Sequence, residues 1–183
     1  MKIKCLLKQE KQKTELYTMA HVIIGNRTWM THNLSVSHFR NGDPIPEVKT
    51  DEDWLEAGKN EQPAWCWPWN DSILYHDCGK IYNYFTVIDP RGLTPEGWRL
   101  PWEEEMSSLI INGELSYELF PYYAGVRASD GLFHYVDEMV SYWSLSAFDD
   151  YVRCINVDSS TASINISGKM SGRSVILLKE PTI

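Results

Sequence analysis

No stretch of this chain approaches the ~20 consecutive apolar residues that a membrane-spanning helix needs. The start, MKIKCLLKQEKQKT, has an apolar run of only three residues and does not read as a secretory signal. Positive charge is also scarce: 17 Lys and Arg stand against 25 Asp and Glu, a net charge of −8. Nucleic-acid affinity comes mostly from cations that neutralise phosphates, so this balance argues against a nucleic-acid partner. Lys2, Lys4, Lys8, Lys11 and Lys13 cluster at the amino end and read as a solvated tail rather than a binding arm. Cys5, Cys66, Cys78 and Cys154 are irregularly spaced, with no CxxC pair, and their spacing assigns no disulfide. GxGxxG, Walker, GxSxG and HExxH motifs are all missing.

The chain does have aromatics, with 8 Trp and 10 Tyr among 183 residues. Large aromatic side chains let a single domain of this size build a core with few long helices, and they also anchor binding surfaces. Local signals predict many short elements. HVIIGNRTWM reads as two strands around Gly25-Asn26, and NGDPIP as a turn followed by an extended stretch. TDEDWLEAGK reads as a short helix capped by Thr50 and ended by Gly58. PAWCWPWND is too aromatic for a solvated loop and too rich in proline for a helix. GKIYNYFTVID reads as a strand, with Ile81, Tyr84 and Val87 as core candidates. WEEEMSSLIING offers the best helix: its acidic first turn favours the dipole, Met106, Leu109 and Ile110 share a face, and Asn112-Gly113 stops it. From Phe120 onward the chain is β-like. This order predicts α+β with antiparallel sheets: residues 1–20 a tail and first strand, 21–183 one domain.

Few constellations could carry chemistry. Cys66, His76 and Cys78 form the nearest metal-like cluster, but zinc sites usually need four ligands and only the last two lie close in sequence. Trp69-Asn70-Asp71 echoes a calcium-binding triplet, yet one Asn-Asp pair cannot supply six to eight oxygens. Glu103, Glu104 and Glu105 diverge around a helix and read as a solvated first turn. His21, His32, His38 and His134 have no recognisable nucleophile partner. The inventory predicts no enzyme, no metal and no cofactor.

Six segments occur in a telling order: IGNRTWMTHNL, NGDPIP, WCWPWND, CGKIYNYFTVIDPRGLTPEGWRLP, YYAGVRASDGLFHYV and YWSLS. Together, over Val22 to Lys179, they resemble the Fibrobacter succinogenes major paralogous domain. The resemblance implies a C-type lectin-like fold, with paired termini, two short helices and a carboxy-terminal antiparallel sheet that carries the ligand face. It implies a cell-surface, secreted or virion protein. Some members, and relatives on the same fold, are variable proteins of diversity-generating retroelements, which rewrite adenine-containing codons near the carboxy terminus. This sequence departs from the family in two places. The main helix starts Pro101-Trp102 without the usual Ser cap, and Met106 replaces a Trp. The closing segment, Ser174 to Leu178, lacks the family's Arg and Cys.

Ser144 to Gly168 contains no Lys, Glu, Gln, Met or Trp over 25 residues. Codons ending in C or T cannot encode those five, as expected of a segment diversified from AAC or AAT codons. Leu119 to Asp137 lacks the same five, so the signal is not unique. Ser160, Ala162, Ile164 and Ile166 should share a packed strand face, with Thr161, Ser163, Asn165 and Ser167 on a wet one. The expected ligand site is Ser146, Phe148, Asp149, Asp150, Tyr151, Arg153, Thr161, Ser163 and Asn165, with Phe148, Tyr151 and Arg153 as anchors. The expected function is a non-catalytic binding module for a protein or cell-surface ligand, with no membrane span and an oligomeric state left open. Two alternatives remain. One is a structural or adhesive part of a surface or virion assembly. The other is an enzyme related to formylglycine-generating enzymes, for which Cys154 would be the lone late cysteine.

Overall fold

The computed structural model describes residues 20–110 and 122–180. Three antiparallel sheets and a few short helices make up an α+β fold. Among the described residues no helix is long and apolar enough to cross a membrane. The predicted amino-terminal tail and the predicted helix stop at Asn112-Gly113 lie outside the described residues, as do Phe120 and Pro121.

The first sheet joins the two ends of the chain. β1 (His21–Ile24) and β2 (Arg27–Met30) form a hairpin whose tight turn relies on Gly25 at φ 62°. α1 (Asp51–Lys59) follows, and the Thr50 hydroxyl accepts from the Asp53 N–H at 3.1 Å. The helix runs one residue past Gly58, which is buried inside it rather than ending it. β3 (Trp65–Cys66) pairs with β4 (Ile81–Asn83). The strand expected to continue through Asp89 stops at Asn83, whose side-chain oxygen accepts from the Thr86 N–H at 3.0 Å and starts the helical turn α2 (Tyr84–Val87). Ile81, Tyr84 and Val87 are all buried, as predicted.

β5 (Trp98–Arg99) precedes α3 (Glu103–Ser107), a turn and a half that stops short of Leu109 and Ile110, which were expected to lie on its apolar face. Two bonds replace its absent Ser cap. The Glu105 carboxylate accepts from the Trp102 N–H at 2.9 Å, and the Ser146 hydroxyl accepts from the Glu103 N–H at 2.9 Å. The acidic run is not simply a solvated face: Glu105 pairs with Arg99 and Glu103 with Arg153. β6 (Val126–Arg127) and β7 (Phe133–His134) complete the second sheet with β11 (Gly172–Arg173), in the order β3-β4-β11-β6-β7.

The third sheet contains β8 (Met139–Phe148), β9 (Tyr151–Asp158) and β10 (Ala162–Gly168), in the order β10-β9-β8. β12 (Leu178–Lys179) then closes the first sheet between β2 and β5. Leading into it, Val175, Ile176 and Leu177, with Leu178 of β12 itself, are all buried, and they alternate between two cores. Val175 and Leu177 face a core containing Trp143, Val152 and Cys154; Ile176 and Leu178 face another containing Trp29, Tyr142, Ile155 and Val157. An extended backbone, with side chains alternating at period two, is what allows one segment to serve both sides. The root of the β8–β9 hairpin does the same, and only its far end emerges into solvent.

Candidate functional site

The emergent end of that hairpin is built by a two-residue turn. Asp149 adopts φ 49°, a left-handed conformation that Asp tolerates better than most side chains, and Phe148 pairs directly with Tyr151. Phe148 is 43% and Tyr151 49% exposed, and their rings stack at 6.1 Å between centroids and 29° between planes. The Arg153 guanidinium lies 5.3 Å from the Phe148 centroid, and its Nε is 3.3 Å from Glu103 Oε2. A cation–π contact and an ion pair together hold this long side chain in one orientation.

The hairpin is locked to α3 beneath that tip. Its register slips between Trp143 and Ala147, a bulge that turns Ser144 and Ser146 inward. The Ser144 hydroxyl donates to the Arg153 carbonyl at 2.8 Å and accepts from the Ser146 N–H at 3.1 Å. Trp102, 48% exposed, stands at the start of α3 beside this junction.

The nine expected ligand residues do not form one patch. Phe148, Asp149, Asp150, Tyr151 and Arg153 come together at the tip. Ser146 lies below it with its hydroxyl committed to Glu103. Thr161 is at the opposite end of β9, roughly 20–25 Å away at ~3.3 Å per residue, where it bonds Asp158 at 2.9 Å. Two N–H groups, from Ser160 and Thr161, hold the Asp158 carboxyl at about 2. Ser163 pairs with Asn156 and Asn165 with Cys154, whereas Arg153 pairs with Ile166. Directly paired residues share a sheet face, so Ser163 and Asn165 point away from the anchors. The expected packed and wet faces of β10 are corrected in part. Ala162 and Ile164 pack against a core, but Ile166 is 52% exposed and Ser167 is buried. The register with β9, which the sequence pattern could not supply, brings Ile166 beside Arg153.

A second exposed apolar patch escaped the sequence reading. Trp69, Ile73, Leu74, Leu132 and Tyr135 all exceed half or nearly half exposure, and Trp69 meets Phe133 at 5.3 Å. The Tyr75 hydroxyl donates to Asp137 at 2.8 Å and ties the two loops that carry the patch. Trp69 and Tyr135 both hold positive φ, at 48° and 58°, an unusual backbone for bulky residues. The signal was in PAWCWPWND, an aromatic cluster in a proline-rich segment.

The described cysteines are chemically quiet. Cys66, Cys78 and Cys154 are free thiols, and burial pushes Cys66 up to about 12, Cys78 to about 11 and Cys154 upward. Among the described residues no group of three His, Cys, Asp or Glu is placed to hold a metal ion. His76 stacks on Trp67 at 6.0 Å, Asn70 donates to the Lys49 carbonyl at 2.7 Å, and the Asp71 carboxylate accepts from the Ile73 and Leu74 N–H groups.

No curated protein and no solved structure matches the chain. The model of the Fibrobacter succinogenes major domain matches residues 22–118, which include the first hairpin, α1, β3 to β5 and α3 but not the β8–β10 sheet. Over more than half its length, therefore, this chain is a Fibrobacter succinogenes major domain, and it belongs to that family.

Proposed function

We propose that the protein is a non-catalytic binding module whose ligand face is the tip of the β8–β9 hairpin. The observation that carries this reading is the pre-oriented trio of Phe148, Tyr151 and Arg153, exposed on a hairpin whose root is buried on both faces. Aromatic and Arg side chains held rigidly lose little entropy on binding, which is why they dominate interface energetics. Asp149 and Asp150 form an acidic rim, and Trp102 extends the apolar area. A protein or other cell-surface partner fits this chemistry better than a nucleic acid. A C-type lectin-like fold, exposure at a cell or virion surface and retroelement-driven variation of Ser144 to Gly168 belong to the same reading. A near-repeat of those codons, differing only at adenines and beside a reverse transcriptase gene, is the expected mark of that variation. Catalysis by Cys154 is disfavoured by its burial and raised thiol pKa.

The binding test compares wild type with the Tyr151→Ala/Arg153→Ala variant by biolayer interferometry against a panel of purified envelope proteins and surface glycans. Any ligand of the wild type should lose at least about tenfold in affinity, with the unfolding temperature unchanged. A ligand held equally by both proteins sinks the placement. The second reading, a structural or adhesive part of an assembly, is favoured by the Trp69–Tyr135 patch. Ile73→Asp/Leu74→Asp would break an assembly made through it.

A further inference from the structure

The sheet that carries the tip has two edges, and they are treated differently. Along β8 the outer edge is occupied: Trp143 donates to the Ser174 carbonyl at 3.2 Å, Leu145 to Pro101 at 2.9 Å, and Gly125 to Met139 at 2.8 Å. β10 is the outer strand on the other side, with no strand paired beyond it among the described residues. Natural edges are normally blunted by Lys, Pro, a bulge or a very short strand. β10 has none of these. Seven consecutive residues, Ala162 to Gly168, pair with β9 without a slip, and none of the seven is charged or Pro.

The strand is also palindromic: Ser163-Ile164-Asn165-Ile166-Ser167 reads the same in both directions. In an antiparallel pairing of two such strands about a two-fold axis at Asn165, each Ser faces Ser, each Ile faces Ile, and Asn165 faces its own copy. Small residues, Ala162 and Gly168, face each other at the ends, and a Cβ added at Gly168 would meet nothing within 4 Å. Like charges opposed across strands destabilise pairing, and a chain with net charge −8 escapes that cost only where the strand is uncharged. The pairing would also cover Ile166, which is 52% exposed. A self-complementary patch of this kind is what a closed two-fold dimer requires.

We infer that β10 pairs with β10 of a second copy of this chain, centred on Asn165, and that the two three-stranded sheets become one continuous six-stranded sheet. The four isoleucines then gather on one face, while the paired Asn165 residues fix the register on the other. The two hairpin tips look out from the same face of the joined sheet, at opposite ends. The protein would thus offer two ligand faces together, so that a surface bearing repeated ligands is bound with avidity.

A seven-residue strand pair falls short of the ~1,200–2,000 Å² of a standard interface, so association is expected between about 1 µM and 1 mM. Sedimentation equilibrium of the full chain across that range should show a mass rising from one chain to two. Asn165→Lys and Asn165→Asp, each folded by circular dichroism and by unfolding temperature, should each weaken association at least about tenfold. Because residue 165 faces itself, an equimolar mixture of the two variants should restore the dimer. A wild type that is monomeric throughout overturns the inference, whether the edge then accepts a strand from another protein or stays bare. So does a dimer that ignores both charges, or one abolished only by Ile73→Asp/Leu74→Asp.

Discussion

Arg99 and Glu105 meet as a two-pronged pair, with Nη1 2.7 Å from Oε2 and Nη2 2.7 Å from Oε1. The same carboxylate accepts from the Trp102 N–H at 2.9 Å and lies 3.6 Å from Arg27 Nε. One side chain thereby joins β5, the start of α3 and β2. The Arg99 hydrogen bonds hold the Glu105 carboxyl below its ordinary value of 4.5. A depressed folded-state pKa means stability that is present above the unfolded value and lost as pH falls through the folded one. Glu105→Gln should cost about 1–3 kcal/mol at pH 7. Its deficit in urea unfolding should shrink as pH falls below 4.5. A deficit that stays constant to the acid limit would deny the ion pair its role.

Lys80 gives a pH signature of the same sign, in the alkaline range. Its ammonium is buried 3.6 Å from the Trp65 centroid and 5.3 Å from that of Trp67, and burial lowers its pKa to about 8 despite Glu47 nearby. Between about 8 and 10.5 the unfolded chain binds more protons than the folded one, so stability rises with pH across that window. Relative to Lys80→Met, the wild type should gain roughly 2 kcal/mol from pH 7.5 to about 10 in urea unfolding. Parallel pH profiles would contradict this.

Arg127 is wholly buried and ties together two loops. It donates to Gly131 O at 2.8 Å, Val48 O at 2.7 Å, Lys49 O at 3.0 Å and Thr50 O at 2.9 Å, with its guanidinium 4.6 Å from the Trp54 ring. Lysine cannot reproduce that fork, so Arg127→Lys should cost about 2–4 kcal/mol by denaturant unfolding. Amide exchange should quicken first at the start of α1. A loss under about 0.5 kcal/mol, the range of an ordinary surface change, would be the contrary result.

Ser146→Ala should lower stability by about 1 kcal/mol, the usual worth of a helix cap, because its hydroxyl holds the Glu103 N–H. Ligand affinity should stay as it was. An affinity loss at unchanged stability would return Ser146 to the binding face.

Cys66, Cys78 and Cys154 should resist iodoacetamide at pH 8 in the folded chain and react on unfolding, because only the thiolate attacks and burial keeps all three protonated. Mass mapping of the alkylated sites reads this directly. Rapid native labelling of Cys154 would reopen the enzymatic reading.

Much of the fold was legible because it rests on local rules. The Gly25 turn, the Thr50 cap and the period-two alternation of the carboxy-terminal strands are short-range signals, and each element appears where its signal stands. The errors came where a distant side chain decides the outcome. Asn83 ends a strand by capping a turn, and Ser146 caps α3 from 43 residues away. The candidate site was half legible for the same reason. Phe148, Tyr151 and Arg153 are neighbours through one hairpin, whereas the side on which Ser163, Asn165 and Ile166 fall depends on the β9–β10 register. A one-residue difference in register exchanges faces, and the composition of the strand does not encode it.

Val175 to Leu178, the shared wall of the two cores, bears on how the molecule comes into being. A ribosome delivers that wall after nearly everything it supports: Met30 waits to bond Leu177, Leu34 waits for Val175, and Trp29 for Leu178. Neither core can close until those residues have emerged, so the decisive folding step joins distant parts of the chain and is expected to be slow. The β8–β9 hairpin is different, since its partners are neighbours in sequence and it can form while the rest waits. Its outermost residues take no part in that late closure. Replacing them leaves the order of assembly intact, which is the freedom a surface needs if it is to change while its scaffold does not.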